Sequence, residues 1–505
     1  MNYSDILKSV DLHDKSVSRR QFFRHNAMGL GAAALASLAP KQLMGSSSGL
    51  IPGIPHHNPK AKRVIYISLI GAPSQFETFD YKPELKKEFK KDVKDFLVAS
   101  GQRLTGMTAG QSNFPVAPSF VDFKQHGESG MWVSDLLPYT AKMADDICVI
   151  KSMHTEAINH EPANQLMYTG TMQAGKASMG SWLSYGLGSL NNELPTFCVL
   201  HAKHSNPAAN VQAISSRLWG SGFIPGKHAG VNLRTQGDPV LYLKDAPGID
   251  RKLRREMLDG LSALNQKTLE NVGDPGIQTR IQQYEMAYRM QMSVPELTDM
   301  SKETKETFDL YGPDSRTPGT FAYCALMARR LAERGVRFTQ IFHRGWDQHG
   351  NLPDHISSQC KDVDQGGYGL IQDLKRRGLL EDTLVIWGGE FGRTVYSQGK
   401  LTEKNYGRDH HPRAFSIWMA GAGVKGGMTY GDTDEYSFNI TTPDQEVHVR
   451  DLHATILERC GLDFHKFSFP YQGLEQKLTG VEPARVVTDI LHSSYMAEHH
   501  KKPKT

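Results

Sequence analysis

The sequence predicts an α/β protein: a mostly parallel sheet sandwiched by helices, with a helical insertion. Three observations carry that expectation. Short runs at residues 63–70, 196–200, 337–342 and 383–387 are largely apolar and rich in β-branched side chains, as strands buried on both faces are. Amphipathic stretches at 319–334 and 361–377 alternate with them, so residues 337–387 read as a strand–helix–strand unit with a right-handed crossover. Finally, the residues with chemical potential follow strand ends directly, where open α/β sheets place their ligands.

The totals narrow the class. A chain of 505 residues, 39% hydrophobic and 22% charged, has ordinary globular composition and is long enough for one large domain with insertions, or two domains. A net charge of +4 is too mild and too scattered for a nucleic-acid partner. Among the cysteines Cys148, Cys198, Cys324, Cys360 and Cys460, no pair is close enough for a metal knuckle or a redox motif. Four of the five sit in apolar or helical contexts that suit a core.

At the N-terminus, Ser18, Arg19, Arg20, Gln21, Phe22 and Phe23 precede a small-residue apolar run over 27–39. This is the form of a twin-arginine export signal, and the run is too short to span a membrane. The expected location is periplasmic or extracellular, with folding completed before transport and no transmembrane anchor. Residues 1–40 are therefore set apart as signal and 41–62, rich in Gly, Ser and Pro, as linker. The rest divides into a first core part (63–200), a helical and loop insertion (201–312), a second core part with the metal site (313–480) and a polar tail (481–505).

In chain order, the strand over 63–70 ends at Gly71 and Pro73. Glu77 and Asp80 follow, each a metal ligand, a helix cap or a turn residue. Residues 81–127 have the texture of a surface excursion, with a solvated mixed-charge helix face at 86–94. A helix over 134–145, capped by Ser134, precedes a strand at 147–150. The next segment, 153–162, is dense in functional groups, among them His154, Glu156, His160 and Glu161. It leads into a helix at 163–168, whose N-terminus suits an anion. The insertion carries helices at 251–265 and 279–292, in which Met286, Met290 and Met292 are packing residues.

The strand over 337–342 delivers Asp347 and His349, two apart, which can converge on one ion. The strand over 383–387 breaks at Gly388 and Gly389, where backbone can approach a bound group, and releases Glu390 and Arg393. His410 and His411 come next, before a strand at 414–420 and a helix at 449–460. His448, Asp451 and His453 read as capping and surface groups of that helix. Carboxylates and imidazoles together suit Zn, Mn or Fe, and Mg or Ca where oxygen dominates. The plain alternative is a strand, a surface loop and solvated charges.

The segments 74–80, 153–188, 345–350, 388–394 and 407–412, set in this order over about 62–474, resemble the exported DUF1501 family within the alkaline phosphatase superfamily, which includes sulfatases and nucleotide phosphodiesterases. That resemblance implies an alkaline-phosphatase-like fold and metal-dependent ester hydrolysis. Thr169 and Gly170 match the Thr-Gly pair of sulfatases, which puts His160 at the nucleophile position, with Pro162 matching the motif proline and Asn164 at the arginine position. No cysteine or serine stands where formylglycine would form. Glu390 takes the position of the usual strand-end aspartate, Phe391 that of its partner ligand, and Glu77 stands in for an aspartate missing near Gly71.

The resemblance thus implies one or two divalent ions (Zn, Mn or Ca) held by Glu77, Asp347, His349, Glu390 and His410 or His411. His160, His154 and Arg393 are the catalytic candidates. His160 could be ligand, general base or general acid; Arg393 could meet an oxyanion or form a structural ion pair. The expected activity is a formylglycine-independent carbohydrate sulfatase that uses metal-activated water on a sulfated or phosphorylated small molecule or glycan. A phosphatase or phosphodiesterase of the same fold, and a non-catalytic metal-stabilised surface-binding protein, are the alternatives.

Overall fold

The first strand, β1 (Arg63–Ile70), sets the layering. Val64, Tyr66 and Ile70 face one apolar cluster, and Ile65, Ile67 and Leu69 face the other. Side chains alternate across a strand, so a strand covered on both sides is apolar on both faces, save where a polar group is paired, as Ser68 is with Gln340. This computed structural model describes residues 51–492 except 100, 102–103, 105–107, 109, 241–247 and 403–404. The expected export signal and the end of the polar tail lie outside the described residues. Within the expected linker, His56, Lys60 and Ala61 donate backbone hydrogen bonds of 2.8–2.9 Å to the Gly461 and Arg459 carbonyls.

After β1 come a hairpin, β2 (Phe123–His126) and β3 (Met131–Ser134), then α1 (Pro138–Lys142) and β4 (Cys148–His154). The helix expected over 134–145 shrinks to α1: Ser134 ends β3, paired with Phe123, and Pro138 starts the helix. Next are α2 (His160–Thr169), α3 (Met179–Leu187), β5 (Phe197–Ala202), β6 (Val231–Leu233), α4 (Arg251–Val272), α5 (Pro275–Thr298), α6 (Lys305–Tyr311) and α7 (Phe321–Glu333). The chain continues through β7 (Phe338–Arg344), α8 (Leu352–Arg376), β8 (Thr383–Gly388), β9 (Gly392–Ser397), β10 (Arg408–His411), β11 (Phe415–Ala420), β12 (Met428–Tyr430), β13 (Val447–His448) and α9 (Val449–Arg459).

The main sheet has the order β12-β4-β11-β8-β1-β7-β5-β6, with β13 also paired to β4. Every pairing is parallel except those of β11, which runs antiparallel to β4 and β8. Helices α1, α6, α7, α8 and the end of α5 cover one face; α2, α3 and α9 cover the other. The C-terminal ends of β1, β4, β7 and β8 share one edge. The loops that follow them therefore meet.

The segment 201–312 is more than a lateral insertion, because β6 joins the sheet beside β5. On α4 only Leu258 is buried, whereas α5 anchors through Met290, Val294 and Leu297. Met286 packs against the same cluster. Met292 is exposed, since two residues beyond Met290 a helix faces away. On α9, His448 caps the first turn and Asp451 returns the bond to its backbone. His453, expected at the surface, is buried and donates to the Met167 carbonyl at 2.8 Å, because it lies on the face of α9 that packs against α2.

Candidate metal centre

Two loops, the first turn of α2, which carries His160, and a hairpin build the site. After β7, Gly345 turns the chain with φ +99°, and Trp346 buries its ring while its backbone N–H donates to the Ile70 carbonyl at 3.2 Å. Gly71, at the end of β1, has φ +110° and packs against this turn: a Cβ there would stand 2.5 Å from the Asp347 nitrogen. The two strand ends thus fix the Asp347 backbone. β9 and β10 form a separate antiparallel pair with His410 opposite Arg393 and His411 opposite Gly392. The Gln75 amide clamps this hairpin, donating to the Arg393 carbonyl and accepting from its N–H, both at 2.8 Å.

Asp347 Oδ1 is the centre of the arrangement. His349 Nε2 lies 2.8 Å from it, His160 Nε2 3.1 Å and His410 Nε2 3.4 Å. One ligand atom from each of these four residues falls within 4.8 Å of every other. Each imidazole has its second nitrogen engaged: His160 Nδ1 on Glu390 Oε1 at 2.6 Å, His410 Nδ1 on the Ile158 carbonyl at 2.7 Å, and His349 Nδ1 on Gln398 Oε1. All three partners accept, so Nδ1 carries the proton and Nε2 presents a lone pair. Three such lone pairs facing one carboxylate oxygen repel unless a cation, or a proton on one of the rings, lies among them. The donor set, three imidazole nitrogens and one carboxylate oxygen, fits a borderline divalent ion such as Zn or Mn, and the outer acceptors are those that orient metal-ligating histidines.

The protonation balance of the bare protein agrees. Burial pulls His160 down, but its bonds to Asp347 and Glu390 outweigh that and raise it overall. The protein puts a proton where a cation fits. Burial lowers His410 to about 4. Asp347, despite burial, is held well below the usual carboxylate range by the three histidines and Arg393.

The remaining expected residues occupy different places. Glu390 stands behind His160: its Oε1 also accepts from the Gly71 N–H at 2.9 Å. Arg393 is buried, with one N–H on Asp347 Oδ1 at 2.8 Å and others on the Gly71, Ala72 and Arg408 carbonyls. Glu77 is outside the cluster; its carboxylate pairs with Arg408 at 2.7 Å, both side chains fully buried. Asp80 pairs with Lys82 and Lys151. His154 packs edge-on against His448, ring centroids 5.0 Å apart. His411 turns the other way, donating Nε2–H to the Phe438 carbonyl at 2.8 Å. Phe391 packs between His160 and His410, its centroid 5.0 and 4.5 Å from theirs.

Asn210, Gln212 and Gln398 carried no signal in the sequence reading, and Gln75 stood out only because family relatives often carry histidine at its place. Asn210 and Gln212, from the 201–312 segment, donate to Asp347 Oδ2 at 2.8 and 2.6 Å. Gln398 holds His349, and Gln75 clamps the hairpin. Amides of this kind form no spaced motif; only the fold brings them in.

Among the described residues no helix is long and apolar enough to cross a membrane. Similar solved structures include the phosphonate monoester hydrolase SpPMH from Silicibacter pomeroyi, at 11% identity over 85% of this chain and 76% of that one, with a TM-score of 0.32. The PsFucS1 sulfatase from Pseudoalteromonas sp. gives 12% over 84% and 72%, with 0.31. A protein in the alkaline phosphatase superfamily from Vibrio parahaemolyticus gives 9% over 82% and 69%, with 0.36. No curated protein matches the chain. The family described as "Protein of unknown function (DUF1501)" matches residues 61–491, and the chain belongs to that family.

Proposed function

We propose that this protein is a divalent-metal-dependent hydrolase of sulfate esters on glycans, exported by the twin-arginine route, with His160, Asp347, His349 and His410 as its ligands. The observation that carries the reading is the convergence of three Nε2 atoms on Asp347 Oδ1. A divalent ion bound there supplies Lewis acidity, which activates water and stabilises developing anionic charge.

The chain's own residues orient that centre. Glu390, the Ile158 carbonyl and Gln398 fix the three imidazoles; Asn210 and Gln212 hold Asp347 Oδ2. Arg393 has its N–H groups on Asp347 and on carbonyls, so it braces the carboxylate instead of reaching for substrate. His160 and His349 are the two members of the cluster that are not fully buried, and they mark the side from which an ester enters. None of the cluster or the side chains bonded to it carries a hydroxyl or thiol, which favours water as the nucleophile over a covalent ester on the chain. Charge favours a singly charged ester, a sulfate monoester or a phosphodiester, over a phosphate monoester. A divalent ion and Arg393 bring three positive charges against the two carboxylates of Asp347 and Glu390. One positive charge remains, matching a singly charged sulfate monoester better than a phosphate monoester, which carries nearly two charges at pH 7.

The test is turnover of matched sulfate monoester, phosphate monoester and phosphodiester substrates by metal-loaded protein. Sulfate release that chelation abolishes and metal restores is expected; release of phosphate alone rejects the proposal. A second reading rests on the donor count, since four protein ligands complete a closed tetrahedral zinc site. Tight metal binding with raised thermal stability and no turnover of any ester favours that reading.

A further inference from the structure

The exposed face of α4 carries a pattern that the fold does not use. Leu253, Met257, Leu261 and Leu264 lie on one stripe and are between 37% and 66% exposed. Their spacing of four, four and three continues through Thr268 and Val272. That is an eleven-residue repeat, which keeps a stripe straight along a helix. One flank of the stripe faces α5, through Leu258 and the Arg255–Glu285 ion pair (2.6 Å). The stripe itself lies beside that contact and stays open to solvent. Contiguous exposed apolar surface of this kind marks an interaction site.

We propose that this stripe packs antiparallel, about a two-fold axis, against the same stripe of a second copy of the chain. Three features select that occupant. In an antiparallel pair, like flanks of the two helices meet. The outer flank of α4 reads Lys252, Glu256, Gly260, Ala263, Lys267 and Asn271. Turned on itself, it sets Glu256 against Lys267 of the partner copy, and Lys267 against the partner copy's Glu256. The same register sets Gly260 against Ala263, with the Leu261–Leu264 and Met257–Thr268 pairs offset from level by two residues, about 3 Å along the axis. A parallel pair would instead need the flank that α5 already covers.

Gly260 is the independent sign. It lies in the middle of α4 with a helical backbone, and a Cβ there would meet nothing within 4 Å. An exposed mid-helix glycine disfavours the helix relative to alanine, and nothing in the packing of the described residues calls for it. Close approach of a second helix at the two-fold axis does. The self-complementary flank, with its crossing point at the smallest residues, fits a symmetric interface.

Sedimentation of the full-length protein over a wide concentration range tests this. A reversible dimer is expected. Leu264→Asp should abolish it with helix content unchanged, because the side chain is exposed. Glu256→Lys and Lys267→Glu should each weaken the dimer, and the double exchange should restore it. A protein that stays monomeric, a dimer indifferent to Leu264→Asp, or a double exchange that fails to restore association overturns the proposal. So does monomeric protein whose stripe instead drives binding to lipid vesicles.

Discussion

Replacing Glu77 separates two roles that its position allows. The carboxylate lies outside the four-residue cluster and pairs with Arg408, both side chains fully buried. Removing one partner of such a pair costs roughly 3–5 kcal/mol, because the other charge is left buried and uncompensated. In Glu77→Gln, Arg408 keeps its bonds to the Thr394 and Ala117 carbonyls (2.9 and 2.8 Å) and the Phe76 ring face at 4.4 Å. That places Gln at the low end, near 3 kcal/mol, and Glu77→Ala nearer 5. Unfolding entropy for the roughly 430 described residues is about 0.9 kcal/mol per kelvin, so the melting temperature should fall by about 3 °C for Gln and about 5 °C for Ala. The assay is thermal unfolding of chelated and metal-loaded protein, with metal content measured alongside. Both forms should lose stability equally while metal stoichiometry holds. Loss of bound metal with no change in the melting temperature of the chelated form would refute the placement of Glu77 as a structural ion-pair partner.

Other outcomes follow from the same geometry. Glu390→Gln should leave the ligands in place but weaken metal affinity about 10–100-fold, as removal of an outer-shell acceptor does; an unchanged dissociation constant, measured by competition with a chelating dye, counts against it. Asp347→Asn should abolish stoichiometric metal binding, read by metal analysis after dialysis, since it removes the single anionic ligand. Gly71→Ala forces a side chain at φ +110° into the backbone at Asp347 and should lower metal affinity without touching a ligand; full affinity in a stable variant would contradict the proposed locking of the two strand ends. His453, pushed down to about 4 by burial, stays neutral in the fold while the unfolded chain protonates near 6.5. Its contribution is complete above pH 6.5 and is lost as pH falls toward 4, by up to about 3 kcal/mol. His453→Gln should flatten the dependence of denaturation midpoint on pH in that window.

The sheet was legible because its strands are buried on both faces and therefore read as apolar runs. The hairpin of β9 and β10 was not. Arg393, Thr394, Arg408, Asp409 and His410 are strand residues that are buried and polar, so no hydrophobic period betrays them. They can be polar because ion pairs, carbonyls and the Gln75 amide satisfy them. Helix α8 was only half visible: its first turns carry Pro353, Asp354 and His355, yet Leu352, Ile356, Cys360 and Val363 already recur at helical spacing. At the candidate site, Asp347 and His349 could be placed from the sequence because they sit just past a strand end, whereas His410 could not be told from His411, since both lie in a strand whose register only the fold shows. That Glu390, Arg393 and Glu77 serve other groups depends on partners far away in sequence. No local pattern could have shown it.

All five cysteines are buried and unbridged, and burial raises their thiols, Cys148 to about 12. A thiol that rarely ionises and never meets solvent resists oxidation. Under the export proposed above, arrival in the folded state would keep these sulfurs out of disulfide chemistry. Threaded across as an open chain, the same five would be exposed together to mispairing.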